Sequence, residues 1–475
     1  MICQLEALQH CFPQDLRQFI NELPESLDET YKRILKGINK AQREDARRLL
    51  QCLTVAARPL HVEELAELLA FDFRATSDRG IPVLREDWRW NDQEQAVLFT
   101  CSSLIAIVHN GDSRVVQFSH FSVKEYLTSP RLAQSGGDVS RFHVDLNAAH
   151  TILAQACLGT LLQLDKYTGN GGFKRFPLVE YAARHWVEHA QFGDVSSRVQ
   201  DGMDDLFDAS KPYFSTWLRV HNMDEPWHVF SGVRGKKYRI SSPLYYAACC
   251  GFHDLADRLI MKHPEQVNAL GGFILAPLPA ALSKRRFCVA DLLRKHGAVV
   301  DVQDQYGCTP LHVAANSGSV DIMRWLLNNG ANASALATKR RTPLHEAVYT
   351  VELGAVNVLL EHKPDIDLNF QDSYGDTPLH DILSLPHPSQ EGKVAEIVRR
   401  LLEHGADPNL RNRSGETPLH GASYRASLEV VRLLLSYGAK IDQKDEDGKT
   451  PFQVASSRGH DEIIKLLLEQ GAVPP

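Results

Sequence analysis

Asp304-Gln305-Tyr306-Gly307-Cys308-Thr309-Pro310-Leu311-His312-Val313-Ala314-Ala315-Asn316-Ser317-Gly318 is the stretch that decides the fold. Thr309 is placed to cap a helix through its hydroxyl. Pro310 suits the first helical position, where its missing N–H costs nothing. Leu311, Ala314 and Ala315 are apolar or small enough for close helix stacking. Downstream, Val320, Ile322, Leu326 and Leu327 make the apolar stripe of a second helix. Asn329-Gly330-Ala331 stops it, with Gly330 suited to a left-handed cap.

The unit recurs. Thr-Pro-Leu-His also begins at Thr342, Thr377 and Thr417, and Thr-Pro-Phe-Gln begins at Thr450. Two weaker copies, Ser242-Pro243-Leu244 and Ala276-Pro277-Leu278, precede them. The starts are 34, 33, 33, 35, 40 and 33 residues apart. A leucine follows 17 residues after the start in six copies: Leu259, Leu293, Leu326, Leu359, Leu434 and Leu467. The fifth reaches Leu401 after 24, so an enlarged loop is expected near 385–392, where Pro, Ser and Gly gather. Glycines 297, 405, 438 and 471 recur at the helix stop. Hairpins are expected at Asp304–Gly307, Asp372–Gly375, Asn412–Gly415 and Asp445–Gly448.

This helix–turn–helix unit of about 33 residues resembles the ankyrin repeat. Seven copies span 239–475. The first two lack the histidine, as degenerate or capping repeats do. The fourth has Arg340 where glycine is usual, and Lys363-Pro364 at the helix stop. The resemblance implies that His312, His345, His380 and His420 hydrogen-bond between neighbouring turns, so they are read as structural and not as a metal array. It also implies a concave binding face made of hairpin tips and the exposed ends of first helices. By register these positions are Gln305, Tyr306, Cys308, Asn316 and Ser317 in the third copy, and Ser373, Tyr374 and Asp376 in the fifth. The sixth offers Arg413, Ser414, Glu416, Tyr424 and Arg425; the seventh offers Glu446, Asp447, Lys449, Ser457 and Arg458.

The front half reads differently. A helix is expected over Asp28–Ile38, with Tyr31, Ile34 and Leu35 on one face, a second over Arg43–Ala57, and a third over His61–Phe71. A polar stretch follows. Then come a strand over Ser103–His109, a turn at Asn110-Gly111-Asp112-Ser113, a return strand over Arg114–Phe118 and a short helix over His120–Leu127. Helices followed by a late hairpin give the order of a winged helix.

Leu23-Pro24-Glu25-Ser26-Leu27-Asp28-Glu29-Thr30-Tyr31-Lys32-Arg33-Ile34-Leu35 and Phe118-Ser119-His120-Phe121-Ser122-Val123-Lys124-Glu125-Tyr126-Leu127 resemble segments of fungal NACHT–ankyrin proteins, STAND relatives of NOD-like receptors. In that family they lie behind the nucleotide-binding module, in a winged helix similar to that of GPI inositol-deacylase. Tyr181-Ala182-Ala183-Arg184-His185-Trp186 continues the likeness. The phosphate-binding Gly-x-x-x-x-Gly-Lys-[Ser/Thr] does not occur in this sequence. The chain is therefore expected to begin where such a module ends and to bind no nucleotide itself.

The expected architecture is mainly α: a helical remnant over 1–40, a small α+β winged helix over 41–135, a helical connecting domain over 136–238 and an ankyrin α-solenoid over 239–475. The formal net charge of -7 argues against a dedicated nucleic-acid binder. No apolar run approaches the ~18 residues a membrane helix needs. The nine scattered cysteines contain no Cys-x-x-Cys, so a reducing, cytoplasmic setting is expected. The short basic clusters at 236–239, 284–286 and 339–341 read as solvated surface but leave a nuclear location open. His185 and His189, four apart on a helix, lack a third metal ligand and read as packing residues.

These features lead to a non-enzymatic interaction scaffold or sensor with no catalytic residues, cofactor or metal, binding a protein partner and no membrane. It resembles a truncated NOD-like receptor-type signalling protein. The alternative is a winged-helix DNA-binding regulator with an ankyrin recruitment surface. That reading places His61–Phe71 in the groove, where Glu63, Glu64 and Glu67 would meet phosphates.

Overall fold

The computed structural model describes residues 27–76, 80–111, 113–164, 175–221, 240–272, 274–362, 366–384 and 388–474. The expected elements before residue 27, the loop at 169–172, the basic cluster at 236–239, Lys363-Pro364 and residues 385–387 of the enlarged loop lie outside these. The chain divides into two compact units, residues 1–263 with 271–273, and residues 264–270 with 274–475.

In the first unit the helix Leu27–Gly37 buries Tyr31 and Leu35. The Tyr31 hydroxyl meets Ser122 Oγ at 2.7 Å, and its ring lies 5.5 Å from that of Tyr126. The two strings that carry the family resemblance thus pack on one another. Helices Arg43–Val55 and Val62–Leu69 follow, then Gln93–Cys101 and Phe121–Leu127. Strands β1 (Leu60–His61), β4 (Ile105–Asn110) and β5 (Ser113–Phe118) form an antiparallel sheet in the order β1-β5-β4, with Val108 opposite Val115 and Leu60 opposite Val116. This is the winged-helix order expected.

Two elements depart from the expectation. The third helix stops at Leu69, and Phe71–Thr76 (β2) pairs with Pro82–Leu84 (β3). The polar stretch also contains the helix Gln93–Cys101, capped by Asp92, whose carboxylate accepts the Gln95 N–H at 3.0 Å. Its apolar residues do not gather on one stripe, so periodicity could not reveal it.

Behind this domain, helices Leu146–Leu161, Val179–Ala190, Gln200–Leu206 and Pro212–Val220 enclose an aromatic core. Trp186 and Trp217 stand edge to face at 5.5 Å, with Phe207, Phe214, Tyr246 and Phe252 around them. Phe252 and Tyr246 belong to the first helix pair, Pro243–Cys250 and His253–Lys262, which lies in this unit. Arg258 reinforces the junction with an ion pair to Asp204 at 2.9 Å. The first repeat is degenerate because its faces serve this core.

The second unit stacks the remaining six helix pairs. Each first helix begins at its proline: Pro277, Pro310, Pro343, Pro378, Pro418 and Pro451. The seven leucines used to set the register are all buried. Each contributes roughly 1.5–3 kcal/mol through removal from water, which is why the pattern is strict there.

Candidate partner-binding face

The hairpins between helix pairs are built from their first residue. The Asp304 carboxylate accepts the N–H groups of Tyr306 and Cys308 at 2.8 Å. Asp372 does the same for Tyr374 and Asp376, and Asn412 for Ser414 and Glu416. Such side-chain turns fix the tip without a strand partner. Glycine closes the turns, with φ of 72° at Gly307, 79° at Gly375 and 78° at Gly415 and Gly448. The fourth tip has no glycine. Lys339 and Arg340 both take φ 60°, a left-handed conformation costing roughly 1–2 kcal/mol for each such residue.

Successive tips are joined by their backbones. Thr338 N–H donates to Tyr306 O at 2.7 Å and Ser373 N–H to Lys339 O at 2.7 Å. Arg413 N–H donates to Tyr374 O and Glu446 N–H to Ser414 O, both at 3.0 Å. The tips therefore form one edge with a fixed step.

The histidines hold this edge to the helices. In each case Nδ1 accepts the capping threonine's backbone N–H, at 3.2 Å for Thr309, Thr342 and Thr377 and 3.0 Å for Thr417. Nε2–H donates to a carbonyl of the next hairpin: His312 to Arg341 at 3.1 Å, His345 to Asp376 at 3.3 Å, His380 to Glu416 at 3.1 Å and His420 to Lys449 at 3.1 Å. Burial holds all four rings below their usual range, His345 down to about 4. They are neutral, committed to two hydrogen bonds each, and not free to bind metal. In the seventh pair Gln453 Oε1 takes the same role toward Thr450 N–H at 2.9 Å.

A helix begun by Thr-Pro, locked by histidine to the next hairpin and repeated in register has one reading. These are ankyrin repeats. The ankyrin-repeat family profile matches three times, at residues 244–337, 278–372 and 387–474. The profile of the GPI inositol-deacylase winged helix domain matches residues 32–139. Among curated proteins, azaphilone pigments biosynthesis cluster protein L of Monascus ruber is 32% identical over 298 residues, which is 59% of this chain and 61% of that protein. Ankyrin repeat protein nuc-2 of Neurospora crassa is 31% identical over 39% of this chain and 17% of its own length. Human ankyrin repeat and SOCS box protein 16 is 32% identical over 39% of this chain and 41% of its own length. The chain thus spans less than two thirds of each of these relatives.

The ankyrin register distributes the expected contact residues unevenly. Gln305, Tyr306, Asn316, Ser317, Tyr374, Arg413, Ser414, Glu416, Tyr424, Glu446, Asp447, Lys449, Ser457 and Arg458 are exposed. Tyr306 and Tyr374 keep 52% and 53% of their surface. Cys308, Ser373, Asp376 and Arg425 are half-buried. Arg425 turns inward to donate to Ile382 O at 2.8 Å, and Asp376 accepts from Asn412 Nδ2 at 2.9 Å; both hold neighbouring repeats together. Burial pushes the Cys308 thiol up to about 11, so it is no nucleophile. Arg458 covers the Tyr424 ring at 3.9 Å.

The expected contact residues include none from the fourth repeat, where Lys339, Arg340 and Tyr349 are also exposed, as is Val313 in the third. The missing glycine at Arg340 looked like an irregular loop; a basic triplet at a tip position was the overlooked signal. Asp372, Asp376 and Asp381 bring carboxylate oxygens within 4.8 Å of one another. The Arg341 guanidinium occupies their counter-charge position, 2.9 Å from Asp381 and 3.8 Å from Asp372. In the first unit His189 is also committed. It meets Tyr181 OH at 2.8 Å and His150 Nδ1 at 2.9 Å, whereas His185 faces Glu188. The structure does not bring His185 and His189 together as ligands.

Proposed function

We propose that this chain is a protein–protein interaction scaffold or sensor that captures a partner on the tip edge and first-helix ends of its ankyrin array. The observation that carries the reading is the pair of exposed tyrosines Tyr306 and Tyr374 on tips whose step is fixed by tip-to-tip hydrogen bonds, with Tyr424 exposed at a first-helix end. Tyrosine offers large contact area at low ordering cost, the property of interface anchors. The front half, in domains bounded near residues 40, 135 and 238, would dock this array to signalling machinery in the cytoplasm, as the likeness to NOD-like receptor-type proteins suggests. We read the chain as non-enzymatic: its tip residues bond one another and hold no nucleophile–base pair.

The DNA-binding alternative finds no support in the helix Val62–Leu69, which carries three glutamates and no lysine or arginine to neutralise phosphates. The test of the proposed function is Tyr306→Ala with Tyr374→Ala. Partner capture should weaken while the melting temperature holds. Undiminished capture would remove this face from the account.

A further inference from the structure

The tips differ in charge along the edge. Tyr306 comes first, then Lys339 and Arg340, then Tyr374, then Arg413, and finally Glu446 with Asp447. Lys339, Arg340 and Arg413 are exposed, and none has a carboxylate within ion-pair distance among the described residues. The nearby acids are otherwise engaged: Glu346 with Arg341 at 2.7 Å, and Asp376 and Glu416 with Asn412 at 2.9 and 3.3 Å. Asp447 takes Lys449 at 3.1 Å.

Two of these cations also lie over rings. Lys339 Nζ lies 5.0 Å from the Tyr374 ring and the Arg340 guanidinium 5.1 Å from that of Phe370. The backbone of Arg413, though not its guanidinium, is tied to Tyr374 O. Arg340 sits in left-handed backbone where the neighbouring tips use Gly307, Gly375 and Gly415, and Lys339, at the register of Tyr306 and Tyr374, is left-handed as well. Strain of this kind persists where the projecting side chains serve a purpose.

We propose that the tips of the third to sixth repeats bind an acidic, extended protein segment, with its carboxylates on Lys339 and Arg340, between the tips of Tyr306 and Tyr374, and on Arg413 at the tip after Tyr374. The inference rests on the partner-capture reading and names the chemistry of what is captured. Stacked helices lie ~8–10 Å apart, so four tips span about 30 Å, which an extended segment covers in about ten residues at ~3.3 Å each. The acidic seventh tip, Glu446 and Asp447, gives the segment a direction: a basic residue belongs at that end. The same acidic tip, with Glu416 beside Arg413, disfavours nucleic acid, whose phosphates continue along the strand.

The test uses the full 475-residue chain and a fluorescein-labelled peptide of about twelve residues, long enough to reach the seventh tip, glutamate alternating with serine and ending in two arginines, read by anisotropy. Saturable, salt-sensitive binding is expected, weakened about tenfold by Lys339→Glu with Arg413→Glu. Lys465→Glu, on an exposed second helix, should leave it unchanged. Arg340→Gly separates binding from folding: it relieves the left-handed strain, so the melting temperature should rise while peptide affinity falls. Absence of saturable binding, equal loss with Lys465→Glu, or an oligothymidylate bound as tightly as the peptide would each overturn the proposal. Native-partner capture lost in Tyr306→Ala with Tyr374→Ala but kept in Lys339→Glu with Arg413→Glu would overturn the acidic segment alone. Capture unaffected by the tyrosine changes would overturn the underlying reading.

Discussion

Arg341 Nη1 stands 2.9 Å from Asp381 Oδ2 and so ties the hairpin that opens the fourth repeat to the first helix of the fifth. The same guanidinium meets Glu346 at 2.7 Å and covers the Tyr349 ring at 5.2 Å. Asp372 and Asp381 are both about 95% buried. Arg341→Ala should therefore cost about 3–5 kcal/mol, because it strands buried carboxylates without a counter-charge. Arg341→Lys keeps the charge but loses the fork and should fall between. Urea unfolding measures both. An alanine variant as stable as the parent would show that the guanidinium holds nothing together.

Asp381 should give the array a sensitivity to alkali. Burial pushes its carboxyl up to about 7 against the opposing pull of Arg341, while the unfolded value is 3.8. A raised folded value means its stabilising contribution is complete below about pH 4 and is lost as pH rises through 7. Between pH 6 and 8 the loss is about 1 kcal/mol. Asp381→Asn should flatten the melting temperature over that window. An unchanged slope would place the proton elsewhere.

The histidines act with the opposite sign. His345 is held down to about 4 and His189 to about 3, chiefly by burial, against 6.5 when unfolded. Their contribution is complete above pH 6.5 and is lost as pH falls toward those values. His345→Gln copies the seventh repeat, where Gln453 caps Thr450. It should retain the cap and reduce the loss between pH 6.5 and 4 by about 3 kcal/mol. Thermal melts across that range in both proteins decide it.

Two glycines with matched backbone separate strain from collision. Gly375 and Gly448 have φ of 79° and 78°. A Cβ at Gly375 would lie 2.7 Å from Arg413 N, the donor that links adjacent tips, whereas one at Gly448 meets nothing within 4 Å. Gly448→Ala should cost about 1 kcal/mol for left-handed backbone alone. Gly375→Ala should cost clearly more and loosen protection of the Arg413 amide in hydrogen exchange. Equal costs would mean the tip linkage has slack.

The repeat half was legible because each unit repeats one solution, so the spacing of Thr309, Leu326 and Gly330 could be checked against six other copies. In the front half each element occurs once. The β4–β5 hairpin announced itself through a β-branched run and Asn110-Gly111. The helix Gln93–Cys101 has no apolar stripe, and β2 begins at Phe71, where the preceding helix's apolar pattern continues. The tip and helix-end positions were legible but not the direction of each side chain: nothing local to Arg425 says that it turns inward to Ile382. The Lys339–Arg340 tip was hidden by the rule that its position wants glycine.

The enlarged fifth repeat has a consequence for how this protein can change. Its second helix runs Glu391–Glu403, 13 residues against nine for Leu428–Ser436 in the sixth. Even so, Leu401 is fully buried and the next tip still meets Tyr374. The additional residues enter ahead of Leu401, partly in the connection and partly as four more residues at the start of the second helix. The hairpin side absorbs less: the fourth repeat carries two extra residues between Leu359 and Thr377, and Ser373 N–H still reaches Lys339 O. One side of the stack takes up a residue or two and the other a longer insertion. The junction of paired helices is thus where a foreign sequence, an epitope or a whole inserted domain could be carried without the partner surface registering that anything had been added.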